Sequence, residues 1–515
     1  MLQQWFCRSR IQAVCLLICI SCALNLSQVG GAATSPQFQT KYFNQTLDHF
    51  RFDEVATSKW LQRYLYNDEF WGVTGSVKFQ LPGNCPGPIL FYSGNEGPIE
   101  AFYSSNGFMQ ELAAAWGGLL IFGEHRYYGD SLPFGKDSLL PKNALYLSTE
   151  QALADYATLL TELKTTILEN AASCPVISFG GSYGGTLTTY FRLKYPQVVI
   201  GGLAASAPIG YYANNGWKSH GLDEYTWIDI VNKVYREAEV GCLDALSESV
   251  NLIRQTGESA AGRKKLANIF HLCKPLDQAQ PLVDYFTDAI ETIPQENYPY
   301  PIGTNPAWPV NATCRTILDG KSRAISDGDA LLNAAAQITD FYYSRLPKAC
   351  VTGQGQGGIP GGGPGPASWG AWSYQSCTET LHQFSARGLR TFKFSMNAAM
   401  KQCKRYFNVT PRVNWSELHF GGYAIGDGLS GISNVIFSNG MLDPWHGGGF
   451  LSQTMESCPV FIMEKGAHHL DLRGSHPSDP PGVTETRKSE RAVMEGWIHK
   501  YAQSANKLVN GKHVS

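Results

Sequence analysis

From about Pro88 onward the chain alternates between two hydrophobic periods. "GPILFYSGNEG", "GGLLIFGEHRYYG" and "CPVISFGGSYGG" are short, unbroken apolar runs that end in glycine-bearing loops. Between the second and third runs lies "STEQALADYATLLTELKTTIL", whose apolar residues recur at helical spacing behind Ser148, a residue suited to cap a helix N-terminus. "YFRLKYP" then predicts a helix ending before Pro196, and "VVIGGLAASAP" another buried strand. Strands that are apolar on both faces and alternate with helices predict a parallel sheet covered by helices on each side.

The pattern changes near Ile209. Residues 209–414 read as predominantly helical, after which strand logic resumes in "ISNVIFSNGMLDPWHGGG" and "CPVFIMEKGAHHLDLRG" and closes on a helix through "ETRKSERAVMEGWIHKYAQ". The chain therefore reads as one sheet domain in two parts, 34–208 and 415–515, interrupted by a helical domain at 209–414. A length of 515 residues fits this division, since single cores stop growing at roughly 250–300 residues. The tract Thr352–Pro366, "TGQGQGGIPGGGPGP", lacks the lysine and preceding strand of a phosphate loop and reads as a surface loop.

Composition narrows the partners. A formal net charge of -2 gives no electrostatic reason to expect nucleic acid or an anionic membrane. Arg8 and Arg10, the apolar run "IQAVCLLICISCALNL" and the small residues "GGAA" read as a signal peptide spanning residues 1–33. No later stretch reaches about 18 uninterrupted apolar residues, so a protein free of the membrane after cleavage is expected. Thirteen cysteines are present; Cys7, Cys15, Cys19 and Cys22 lie in the leader, which leaves an odd nine for an oxidising compartment. Sequons at Asn44, Asn311, Asn408 and Asn414 are candidate glycosylation sites on the same route.

Gly180-Gly181-Ser182-Tyr183-Gly184 fits G-x-S-x-G between a strand and a helix, where a sharp turn holds a serine in a strained conformation and only glycine tolerates the approach of backbone on either side. A serine hydroxyl needs a base to take its proton and an acid to orient that base. Asp443 in "NGMLDPW" and His468 in "GAHHLDLR" follow in the expected chain order, each after a strand. Asp427 is a rival acid that precedes its strand, and spacing leaves His469 open as the base. Adjacent histidines diverge and no HExxH spacing accompanies them, so no metal and no cofactor are expected. His125, at another strand end, reads as structural or pocket-lining. Candidate oxyanion donors are the N–H of Tyr183 and N–H groups of "SGNEG", at Glu96 and Gly97. Two readings of Glu96 stay open, a carboxylate that binds a substrate α-amino group and a helix N-terminal acid.

Taken together, "YFNQTLDHF", "FYSGNEG", "EHRYYGDSLPFG", "STEQALADYA", "GGSYGGTL", "LAASAP", "WSYQSCTE", "FSNGMLDPWHGGG" and "GAHHLDLR" resemble the S28 serine peptidases over nearly the whole chain. The resemblance implies an α/β-hydrolase fold with a helical cap inserted after the sixth strand, a Ser182–Asp443–His468 triad, cleavage next to proline in peptide substrates, action in an acidic compartment and a possible homodimer. Location would then be the lysosome or vacuole, or secretion. It also implies cap disulfides Cys242–Cys314, Cys273–Cys350 and Cys377–Cys403, and a further bridge Cys85–Cys174 ahead of two strands that the fold places side by side, with Cys458 left over. Trp369, Trp372 and Trp445 are candidates for an apolar slot around a proline ring, against ordinary core packing. The family cuts peptides from either end. Cys350 is followed by no carboxylate to hold a substrate amine, which leans towards a Pro-X carboxypeptidase, whereas Glu96 favours release of N-terminal X-Pro dipeptides in the manner of dipeptidyl peptidase II. An esterase or lipase of the same fold, and a catalytically silent binding module, are the readings from other classes.

Overall fold

The computed structural model describes residues 37–511, save 74, 76, 78, 213–216, 218, 219, 344–349, 352–369 and 454. The expected leader, the glycine-rich tract and Trp369 lie outside the described residues.

Eight strands form one sheet in the order β1-β2-β4-β3-β5-β6-β7-β8. Strands β3 (Ile89–Ser93), β4 (Leu119–Gly123), β5 (Val176–Gly181), β6 (Gly201–Ala205), β7 (Val435–Gly440) and β8 (Val460–Met463) run parallel to one another. Every residue of β3 to β7 is buried, which is why these segments read as continuous apolar runs. Pleating sends successive side chains to opposite faces. Ile89 and Phe91 join Ile121, Val176, Tyr156 and Phe191 on one side, while Leu90 and Tyr92 join Phe122, Ile177, Phe179 and Ile498 on the other.

The edge follows a different rule. β1 (Gln39–Thr46) and β2 (Lys59–Asn67) are antiparallel to each other, and β2 is antiparallel to β4. They bury polar side chains, so no apolar run marks them. Gln45 Nε2 donates to Gln62 Oε1 at 2.8 Å, Gln62 Nε2 donates to Glu124 O at 2.8 Å, and Arg63 spans Glu124, Glu100 and Asp130 at 2.5, 2.6 and 2.8 Å.

On the sheet, α1 (Ile99–Ser105) and α2 (Gly107–Trp116) follow β3, α3 (Thr149–Glu162) precedes β5, and α4 (Tyr183–Lys194) follows it. Ser148 accepts a hydrogen bond from the Gln151 N–H and caps α3, and α4 stops two residues short of Pro196.

Between β6 and β7 the chain is helical: α5 (Thr226–Ala238), α6 (Cys242–Thr256), α7 (Ala260–Ile269), α8 (Gln280–Thr292), α9 (Pro309–Arg323) and α10 (Ala330–Tyr342) enclose a separate core of Trp227, Tyr235, Leu246, Phe286 and Ile317. Next, α11 (Ala371–Thr378) and α12 (Met396–Phe407) pack on Tyr127 and Tyr128 of the loop after β4. Bonds Cys242–Cys314, Cys273–Cys350 and Cys377–Cys403 staple these helices, and Cys85–Cys174 joins the segments entering the paired strands β3 and β5. Cys458 is a buried free thiol. Asn44, Asn408 and Asn414 are exposed and Asn311 is half-buried. After a short helix α13 (Trp415–Phe420), the chain re-enters the sheet and ends in α14 (Pro481–Gly511). Among the described residues no helix is long and apolar enough to cross a membrane.

Candidate active site

Ser182 sits where β5 becomes α4, at φ 60° and ψ -128°. This is backbone that a residue with a Cβ rarely adopts, held here by the Ser182 N–H donating to Ala205 O of the neighbouring strand at 2.9 Å. The flanking glycines are required by contact: a Cβ on Gly180 would lie 2.0 Å from Gly184 O, and one on Gly184 would lie 3.0 Å from Ser93 O. The turn presents a half-exposed hydroxyl between fully buried neighbours.

Asp443 and His468 follow the carboxyl ends of β7 and β8, the edge on which open α/β sheets carry their sites. The two loops are laced together by Met441 N–H donating to Met463 O and Leu442 N–H to Gly466 O, both at 3.0 Å. His468 Nδ1 lies 2.6 Å from Asp443 Oδ2, with the acid fully buried. A carboxylate only accepts, so Nδ1 carries the proton and Nε2 is the free base. The other oxygen, Asp443 Oδ1, accepts the Trp445 N–H at 3.0 Å.

The rivals are placed elsewhere. Asp427 is exposed and pairs with His220 at 3.4 Å. His469 sits against Gly181, where an added Cβ would come 2.8 Å from its ring, and its N–H donates to Ser206 Oγ at 2.8 Å. Burial, helped by the neighbouring His468 and Arg473, pushes the His469 pKa well below the usual range. His125 is buried, with Nδ1 2.7 Å from Arg126 O and Nε2 3.3 Å from the Tyr183 hydroxyl, and burial pushes it down to about 4.

The loop after β3 corrects one expectation. The Gly97 N–H is already donated to Asn95 O at 2.8 Å, so it is not aimed at an oxyanion. The first N–H of α1, at Ile99, is accepted by Glu124 Oε1 at 3.1 Å, so Glu96 is not its hydrogen-bonding cap. Glu96 is half-buried and accepts from Asn95 Nδ2 at 2.9 Å. Burial raises its pKa, against the pull of its own main-chain N–H, Asn95 and the His468 charge. The Tyr183 N–H is the first of α4 and lacks an intrahelical acceptor by position.

Behind Tyr183 lies a buried polar network that the sequence did not reveal. Its hydroxyl meets Thr149 Oγ1 at 2.9 Å and accepts from Gln375 Nε2 at 2.8 Å; Thr149 N–H and Oγ1 both donate to Glu379 Oε1 at 2.9 Å. Burial pushes the Glu379 carboxyl up to about 7, opposed by the donors of Gln375 and Thr149. The cap side was equally hidden. Gln295 O accepts the His468 N–H at 2.9 Å, Tyr298 Oη donates to His468 O at 3.0 Å, and Trp445 Nε1 donates to Gln295 Oε1 at 2.8 Å. The only signal in "IPQENYPYP" is a proline-punctuated turn between helices. Trp372 and Trp445 are both half-buried, with ring centroids 5.2 Å from Tyr183 and 6.3 Å from His468 respectively. Among the described residues no group of three His, Cys, Asp or Glu is placed to hold a metal ion.

A mostly parallel sheet with a serine in a strained strand-to-helix turn, and a bonded acid and histidine after the last two strands, defines an α/β-hydrolase. The model of the family described as serine carboxypeptidase S28 matches residues 45–490. Lysosomal Pro-X carboxypeptidase of Mus musculus is 36% identical over 486 residues, covering 92% of each chain, and that of Homo sapiens is 35% identical over 489 residues, covering 92% of this chain and 91% of the human one. The putative serine protease pcp-1 of Caenorhabditis elegans is 34% identical over 495 residues, covering 89% and 82%. The chain belongs to the S28 family and is a serine peptidase.

Proposed function

We propose that this chain is a proline-directed serine carboxypeptidase in which Ser182 is the nucleophile, His468 the base and Asp443 the orienting acid. The observation that carries it is the 2.6 Å contact of His468 Nδ1 with the buried Asp443 carboxylate, which sets the tautomer a base requires. Nε2 takes the Ser182 proton as Oγ bonds to the carbonyl carbon of the residue before the scissile bond. The carbon–nitrogen bond then breaks, and the same proton passes to the leaving amine. Water, deprotonated in turn by Nε2, releases the acyl group and restores the serine. The Tyr183 N–H faces the developing oxyanion, and the Glu96 N–H, which bonds its own carboxyl here, would have to turn from it to serve as the second donor. Trp372 and Trp445 wall the slot for a proline ring. The cap is residues 209–414, and the two parts of the sheet domain are 34–208 and 415–515.

The kinship with lysosomal Pro-X carboxypeptidases supports both the proline preference and a working place in the secretory or lysosomal route. A homodimer belongs to the same reading and is testable by sedimentation. One observation favours the opposite direction of attack: Glu96 offers a half-buried carboxyl in the loop after β3 that is suited to an N-terminal ammonium. Incubation with Lys-Ala-Pro-Phe and with Lys-Pro-Ala-Phe decides. Release of phenylalanine from the first supports the carboxypeptidase, and release of the dipeptide Lys-Pro from the second supports the dipeptidyl reading.

A further inference from the structure

The turn Ile293–Glu296 follows α8 within the cap and touches both catalytic loops. Its main chain holds one of them, through the His468 N–H on Gln295 O at 2.9 Å. Its side chain holds the other, through Trp445 Nε1 on Gln295 Oε1 at 2.8 Å. The indole so held is a wedge. On the cap side its centroid lies 5.2 Å from His382, 6.0 Å from Tyr211 and 6.2 Å from both Trp227 and Phe384; on the other side His468 is 6.3 Å away. Trp445 is only half-buried despite this aromatic packing. An indole N–H in such a place needs an acceptor, and the acceptor fixes the rotation of the ring.

We propose that Gln295 is a specificity-positioning residue: its side-chain oxygen locks the Trp445 indole in the orientation that walls the proline slot beside His468. The proposal rests on the reading of Trp445 as part of that slot. Because the histidine is held through the backbone of residue 295 and the tryptophan through its side chain, substitution separates the two ties. Loss of the side-chain acceptor frees the indole while the main-chain bond to His468 persists. A compact, conformationally restricted pyrrolidine gains most from a fixed facing ring, whereas an alanine methyl group gains little. Selectivity between the two is therefore the quantity that Gln295 controls.

The test compares kcat and KM for Lys-Ala-Pro-Phe and Lys-Ala-Ala-Phe in the full-length protein. Gln295→Leu, which removes the acceptor at similar volume, is expected to lower the prolyl-over-alanyl ratio of kcat/KM about tenfold, the scale of one lost hydrogen bond to a binding group. Most of the loss should appear as a raised KM for the prolyl peptide. Gln295→Glu keeps an acceptor and should restore the ratio to within about threefold of the native protein. Trp445→Phe removes the donor and should reproduce the loss, and the double variant Gln295→Leu/Trp445→Phe should be no worse than Trp445→Phe alone. If Gln295→Leu does not fold, the Glu and Phe variants carry the comparison. An unchanged ratio in Gln295→Leu or Trp445→Phe, or an equal fall for both peptides, overturns the proposal. Cleavage that survives Ser182→Ala overturns the serine mechanism beneath it, and that result is distinct from any change in selectivity.

Discussion

Glu379 makes the stability of this protein depend on pH in a direction opposite to an ordinary surface carboxylate. The residue is 6% exposed, and burial pushes its carboxyl from 4.5 up to about 7. The folded state therefore holds a proton that the unfolded state has released throughout the window from 4.5 to about 7. Stability falls wherever the native state binds more protons than the unfolded one, so the contribution is complete below pH 4.5 and is lost as pH rises through about 7. At about 1.4 kcal/mol per pKa unit, the span corresponds to about 3 kcal/mol. Glu379→Gln mimics the protonated acid, and the three donors from Thr149 and Gln375 that converge on Oε1 can be accepted by the amide oxygen. Thermal midpoints of native protein and variant should be measured from pH 4 to pH 8.5. The native midpoint should fall relative to the variant by several degrees between pH 5 and pH 8, with the curves converging at the acid end. Parallel curves across that range would refute the reasoning, since they would mean that Glu379 titrates alike in both states.

Other outcomes follow from the same geometry. Asp443→Asn keeps the shape of the acid but lets its amide face Nδ1 as a donor, so kcat should fall by about 10⁴ with folding preserved, as read by steady-state kinetics beside circular dichroism. Replacing Cys85 and Cys174 together with serine opens a link across a sequence separation of 89, and chain entropy alone assigns it about 4–5 kcal/mol, visible as a lower denaturant midpoint relative to the native protein.

The parts of this molecule that the sequence discloses are those whose cause is local. β3 to β7 announce themselves because strands covered on both faces must be apolar, and Ser148 announces α3 because a hydroxyl must meet the first free N–H groups. The serine turn is legible in part for the same reason, since Gly180 is dictated by the Gly184 carbonyl four residues on, although Gly184 itself answers to Ser93 at the end of β3 and Asn95 on the loop after it. β1 and β2 escape the pattern because their inward positions hold Gln45, Gln62 and Arg63, satisfied by partners such as Glu124 and Asp155 far along the chain. Local spacing likewise could not choose between His468 and His469. That choice depends on which ring meets Asp443 and which one is pressed against Gly181. Gln295 and Glu379 carry no local mark, and their meaning comes from residues 150 and 230 positions away. Gly97 misled because a glycine-bearing loop after β3 looks like an anion site, although its N–H turns back on Asn95.

Attachment of a fluorophosphonate tests the central claim most directly, because the probe bonds only to a serine whose hydroxyl is activated. Peptide mass mapping of the folded, active protein should place the adduct on Ser182, and His468→Ala should abolish labelling. An adduct on another residue, or full cleavage of Lys-Ala-Pro-Phe by protein that takes up no probe, would contradict the account.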